Sequence, residues 1–245
     1  MKCQRNVALL PTSGFPTQVQ QLTIAVQYLF DQGVDPSNLH LIGDSSGGHI
    51  ILTFISHILH PLPGIRKLRT PLASPIRSVY LLSPWVCMRN RLNLFEIYTP
   101  RDVLSAVDVN DFADMFLTHA SYYSLSAEQQ MRYFDPLNAP SGWFDGIDGV
   151  IDRLLLTVGS EELFRDDVVA LAQILRKSMN ISNGISTTRA DFTFSVQDGG
   201  VHNDPILDFM MDANPKKENL GSLTSLIVKW LMEGVKSGKA NADKK

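Results

Sequence analysis

Apolar positions along this chain fall into two alternating spacings. Residues 6–10, 39–42, 78–82, 153–158 and 192–196 are short runs dense in aliphatic and aromatic side chains and bounded by turn formers. That predicts strands. Residues 16–33, 46–59, 166–179 and 220–235 instead repeat apolar side chains every three or four positions, which predicts helices. In the first of these, Pro16 suits the opening turn, Val19, Leu22, Ala25 and Val26 share a face, and Gly33 stops the helix. Asp35, Pro36, Ser37 and Asn38 form a turn before the next strand.

Strands that are apolar throughout, each followed by an amphipathic helix, imply a mostly parallel sheet with helices on both faces, an α/β fold. Residues 88–150 break the alternation with a helical patch at 105–119, many aromatics and a turn-rich stretch at 135–140. They read as a cap inserted into a single domain spanning residues 1–235, and the Lys-, Gly- and Asn-containing residues 236–245 read as a polar, frayed tail. Among the cap aromatics, Phe95, Tyr98, Phe112, Phe116, Tyr122, Tyr123, Tyr133, Phe134, Trp143 and Phe144, with Met115, suit either an apolar substrate or the packing of the cap itself.

Composition narrows the picture without redirecting it. The chain has 245 residues, a formal net charge of −3 and 19% charged residues, so nothing suggests a nucleic-acid partner. No secretory leader or membrane-spanning run is visible, since residues 49–62 are too short and too polar to cross a bilayer. Cys3 and Cys87 make neither a disulfide framework nor a metal-ligand spacing. A reduced, cytoplasmic setting with no metal or cofactor is expected. His57 and His60 lie three apart on a helix without an accompanying carboxylate or thiol, so a polar helix face explains them better than a metal.

In a parallel sheet, reactive groups gather beyond the carboxyl ends of the strands. After residues 39–42 comes Gly43-Asp44-Ser45-Ser46-Gly47-Gly48-His49. A serine raised on a tight strand-to-helix turn needs small residues two positions either side, and Gly43 and Gly47 supply them, selecting Ser45 as nucleophile. The following helix turns its first N–H groups toward developing negative charge. Similar glycine-serine strings occur in chymotrypsin-like proteases, but those need a histidine and an aspartate upstream; here His40 alone precedes Ser45, inside a strand.

The strand ending at Val158 opens onto Gly159, Ser160, Glu161 and Glu162, and the strand ending at Val196 onto a glycine-flanked His202. The order serine, acid, histidine suits a nucleophile–base–acid triad in such a sheet, with His202 taking the Ser45 proton and returning it to the leaving group. Asp166 and Asp167 are placed to cap the next helix, which leaves Glu161 and Glu162 as candidate acids.

The chain resembles the hormone-sensitive-lipase-like branch of the α/β-hydrolases, especially its fungal esterase-like members. The resemblance rests on the elbow at residues 43–48, on an acid motif at residues 159–167, and on Ser83-Pro84-Trp85 and Asp135-Pro136-Leu137. It picks Glu162 as the acid and implies a carboxylic-ester hydrolase acting through an acyl-enzyme on an apolar or aromatic small molecule. The family also carries a His-Gly-Gly-Gly loop well before the nucleophile, which supplies most of the oxyanion hole. Only 44 residues precede Ser45 and none forms such a loop, so the Ser46 N–H is the one assignable donor. Losing one such donor costs on the order of 10²–10³ in rate.

A coding sequence that begins further upstream, a partner chain that completes the site and a weakened enzyme each account for the shortfall, truncation most simply. Without the missing strand, residues 39–42 either pair with residues 6–10 or present an edge open to self-association. Acyl transfer or thioester release in a natural-product pathway uses the same triad, and a non-catalytic binding protein on a hydrolase fold is the third expectation.

Overall fold

The computed structural model describes residues 10–69, 72–88, 101–120, 126–179, 181–182, 185–186, 190–211 and 221–242. The predicted strand at 6–10 therefore lies almost wholly outside the described residues, and Leu10 sits in a turn. Helix α1 runs Thr17–Asp31 and is stopped where Gly33 adopts φ 84°. Strand β1 (His40–Asp44) leads into α2 (Ser46–Leu59), and β2 (Ser78–Leu82) follows a connection that contains Pro61, Pro63 and Pro75. The insertion after β2 contributes α3 (Ala106–Ala120) and α4 (Ala127–Phe134). The remainder is β3 (Arg153–Gly159), α5 (Arg165–Ser178), a two-residue hairpin of β4 (Ile181–Ser182) and β5 (Ile185–Ser186), β6 (Asp191–Gln197), α6 (Asp204–Met211) and α7 (Ser222–Ala242).

The main sheet has four strands in the order β1-β2-β3-β6, all parallel, with His40 opposite Ser78, Val79 opposite Leu154 and Leu154 opposite Phe192. Alternation along β2 and β3 explains why both read as unbroken apolar runs. Val79, Leu81, Leu154 and Leu156 join the large core with α1, α2 and α5, whereas Tyr80, Leu82 and Leu155 join a second cluster with Leu223, Ile227 and Trp230 of α7. Each face of the sheet is thus covered by helix. β1 is the exception: Leu41 and Gly43 are buried, but Ile42 on its other face is 59% exposed, and β1 is the edge of the described sheet.

Several local expectations are corrected. Asp166 and Asp167 lie inside the first turn of α5, where they meet its dipole, but the cap position itself is held by Phe164, whose side chain makes no capping bond. His57 and His60 do not make a polar face. His57 is buried, accepting from the Leu62 N–H and donating to the Arg66 carbonyl, while His60 donates to the Trp143 carbonyl and stacks on its ring. Helix α6 adds to the four helices the spacing predicts, and Asp204-Pro205 is a start signal of the kind seen at Pro16. Helix α7 continues past Val235 to Ala242.

Candidate active site

Each strand of the main sheet delivers one residue of the site just beyond its carboxyl end: Ser45 after β1, Ser83 after β2, Glu162 after β3 and His202 after β6. The turn carrying Ser45 is tightly built. Its N–H donates to the Leu82 carbonyl at 2.9 Å, and its carbonyl accepts from Trp85 at 3.0 Å and from His49 at 3.2 Å. These bonds hold Ser45 at φ 49°, ψ −116°. A Cβ on Gly43 would lie 2.6 Å from the Gly47 backbone, which is the close approach expected of this turn. Gly47 itself meets nothing nearer than 3.7 Å; the second crowded position is Gly48, 2.7 Å from the Pro84 side chain. The glycine requirement therefore falls on 43 and 48, not on 43 and 47.

Glu162 is 1% exposed and accepts three hydrogen bonds: Oε1 from Ser83 Oγ at 2.6 Å and from the Gly159 N–H at 2.5 Å, and Oε2 from His202 Nδ1 at 3.1 Å. Burial pushes its carboxyl above the usual carboxylate range, and the bonds from His202, Ser83 and Gly159 oppose that rise. Glu161, the other candidate from sequence, points away and pairs with Arg101. The Nδ1–H···Oε2 bond fixes the tautomer of His202 and leaves Nε2 as its acceptor nitrogen.

The turns that carry His202 and Ser45 are joined by Asn203 Nδ2, which donates to Asp44 Oδ2 at 3.2 Å. Ser45 Oγ makes no hydrogen bond to His202 among the described residues, so Glu162 and His202 are in contact and Ser45 stands apart. The loops that carry His202 and Glu162 also touch: a Cβ on Gly159 would come within 2.2 Å of the Gly200 carbonyl oxygen.

Beside Ser45 lies a cavity of about 360 Å³ lined by Ser45, Ser46, His49, Trp85, Phe116 and Phe164, among others. Phe164 meets the His202 ring edge-on at 5.2 Å, which sets the imidazole beside the cavity wall. From α3, Val109, Phe112 and Phe116 line the space, whereas Tyr133, Phe134 and Phe144 belong to the core and Trp143 packs against it. Phe95, Tyr98, Tyr122 and Tyr123 fall outside the described residues, and Met115 is half-buried away from the cavity. The first intrahelical bond of α2 runs from His49 to Ser45, so the Ser46 N–H has no carbonyl partner within the helix. Sequence reasoning missed two contributors. Ser83 stands in the sequence only as a strand end and part of a segment that carries the resemblance, with no role of its own, yet it donates to Glu162; His49, given no role, is buried in the cavity wall and donates to the Phe134 carbonyl at 2.9 Å.

Among the described residues no group of three or more His, Cys, Asp or Glu could hold a metal, and no helix is long and apolar enough to cross a membrane.

A parallel sheet with helices on both faces, a serine on a strained strand-to-helix turn and a Glu–His pair beyond later strands define the α/β-hydrolase class. Residues 7–187 match the alpha/beta hydrolase fold family model, and the chain belongs to that family. An acetyl-hydrolase of Streptomyces hygroscopicus is 27% identical over 168 residues, 69% of this chain and 48% of that protein, so the chain spans about half the relative's length. Two solved structures share the fold. An esterase of the bacterial hormone-sensitive lipase family superposes with a TM-score of 0.64 at 21% identity, covering 92% of this chain and 63% of the other. An esterase/lipase from an uncultured bacterium gives 0.61 at 22% identity, covering 85% and 59%.

Proposed function

We propose that the chain cleaves a carboxylic ester of a small apolar or aromatic molecule through an acyl-enzyme on Ser45. The observation that carries this reading is the buried Glu162–His202 pair, held by Ser83 and Gly159 beside the cavity that contains Ser45. In the reaction, Ser45 Oγ attacks the ester carbonyl carbon and passes its proton to His202 Nε2. Negative charge gathers on the carbonyl oxygen near the Ser46 N–H and the positive end of α2. The tetrahedral species collapses, the C–O bond to the alcohol breaks, and His202 returns the proton to the leaving oxygen. Water, deprotonated by His202, then attacks the acyl carbonyl carbon; the bond to Ser45 Oγ breaks, His202 returns the proton to Oγ, and the acid leaves. Glu162 orients the imidazole and stabilises the imidazolium formed at each step.

The cavity's size lies near the lower end of small-molecule sites, and its lining is mostly aromatic and aliphatic, which suits a compact acyl group. The acetyl-hydrolase name of the Streptomyces relative is consistent with an acyl group at the small end of that range.

A fluorophosphonate probe tests the proposal. Wild type should be labelled and Ser45→Ala should not; folded wild type that resists labelling would sink the enzyme and leave a binding protein on a hydrolase fold. Products formed from p-nitrophenyl acetate in the presence of an added alcohol then separate hydrolysis from acyl transfer.

A further inference from the structure

Immediately ahead of α3, residues 101–105 run past the two loops that carry the acid and the base. Asp102 Oδ1 accepts the backbone N–H of His202 at 2.9 Å, and Asp102 Oδ2 accepts the backbone N–H of Leu163 at 2.9 Å. Its Oδ1 also takes the Val103 N–H at 2.8 Å, so one carboxylate serves three backbone donors. Next to it, Arg101 Nη1 meets Glu161 Oε2 at 3.0 Å. Two consecutive residues thus grip positions 161 and 163, on either side of Glu162, and the backbone of His202 itself.

We propose that Asp102 is a positioning residue that couples the seating of α3 to the Glu162–His202 pair; this rests on the hydrolase reading above. An ionised carboxylate accepts with both oxygens and donates with neither, so it can hold N–H groups from two loops at once. An amide of the same shape cannot, because one of its two ends is a donor. Neither the His202 nor the Leu163 N–H has another acceptor among the described residues. The segment leads into α3, whose Val109, Phe112 and Phe116 line the cavity. A substrate that packs against α3 therefore presses the element bearing Asp102 onto the acid and base loops. A misplacement of about 1 Å at a reacting group costs roughly 10² in rate, and these two bonds restrain that displacement.

The test compares Asp102→Ala, Asp102→Asn and Asp102→Glu with wild type on p-nitrophenyl acetate, with active sites counted by fluorophosphonate titration. Alanine and asparagine should lower kcat per titrated site by tenfold to a hundredfold and move KM less than threefold, and glutamate should recover more rate than asparagine. Independently of turnover, the His202 Nδ1–H proton resonance of histidine-labelled protein should be sharp in wild type and exchange-broadened in Asp102→Ala at temperatures well below the Tm of both proteins. Variants that keep kcat per site within twofold and retain the resonance overturn the proposal. So does a loss confined to the titratable fraction, which marks Asp102 as merely structural. Wild type that neither labels nor hydrolyses ends the hydrolase reading instead, and the resonance then decides the role of Asp102 alone.

Discussion

Ser45, Ser83 and Asn203 are the non-glycine residues that the described backbone holds at positive φ, at 49°, 45° and 59°. All three belong to the candidate site: one is the proposed nucleophile, one donates to Glu162, and one follows His202 and bonds Asp44. Such conformations cost about 1–3 kcal/mol each and persist where the surroundings over-determine them. Ser45 meets that condition through its bonds to Leu82, Trp85 and His49, and Ser83 through its N–H to the Thr157 carbonyl. The crowding around Ser45 makes an asymmetric prediction for its two flanking glycines. A methyl at 43 meets backbone atoms, which cannot rotate aside, whereas a methyl at 47 meets only Asp44 Oδ1, at an ordinary contact distance of 3.7 Å, inside a helix that prefers alanine. Gly43→Ala should lose about 1–3 kcal/mol in urea unfolding and its probe labelling with it. Gly47→Ala should be neutral or more stable by up to about 1 kcal/mol. Equal losses at both positions would contradict the geometry given for the turn.

At the scale of elements, α3 offers Val109, Phe112 and Phe116 to the cavity from one stripe, but the two aromatics are held very differently. Phe116 is buried, with its ring edge-on to both His49 and Phe134; Phe112 is 53% exposed at the rim. Phe116→Ala should cost about 3–5 kcal/mol of stability and enlarge the cavity, shifting ester preference toward longer acyl chains. Phe112→Ala should leave stability within about 0.5 kcal/mol and raise KM alone. A series of p-nitrophenyl esters of increasing acyl length, read beside thermal melts, checks both.

The elements themselves were largely legible in the sequence. β2 and β3 are buried on both faces and so appear as apolar runs, and Ser45 and His202 stand in local glycine turns that advertise themselves. Ser83 and Asp102 did not, because they act on residues 79, 61 and 100 positions away, and no local spacing records a contact of that kind. Glu162 could be separated from Glu161 only by resemblance. In the fold the difference is plain, since the first is sealed beneath Ser83 and the second reaches outward to Arg101.

For the whole molecule, the seam between the insertion and the sheet-bound core runs through His49. It stands on α2, donates to the Phe134 carbonyl at the end of α4, and lies edge-on to Phe116 of α3. Burial pulls its pKa from 6.5 down to about 4, with the Phe134 bond opposing the fall. The unfolded chain therefore takes up this proton near pH 6.5 and the folded chain only near pH 4. Between those values the unfolded state holds more protons, so the stability from neutral His49 is complete above pH 6.5 and is lost as pH falls through the window. At 1.36 kcal/mol per unit the loss reaches about 3 kcal/mol by pH 4.

His40 and His57 are also lowered by burial and act in the same direction, while Glu162, raised by burial, acts in the opposite one above pH 4.5. The absolute pH profile therefore mixes signs, and a difference between two proteins isolates one group. His49→Gln keeps an amide donor for the Phe134 carbonyl but does not titrate. Urea unfolding at pH 7 and pH 5 should show a smaller drop in stability for His49→Gln than for wild type, and above pH 6.5 the difference between the two proteins should stay constant. An identical drop in both proteins would mean that this seam carries no buried, neutral imidazole. Because the proton enters where the insertion meets the core, the same acidification should loosen the Phe116 wall of the cavity before the sheet unfolds, visible as hydrogen exchange rising first in α3 and α4.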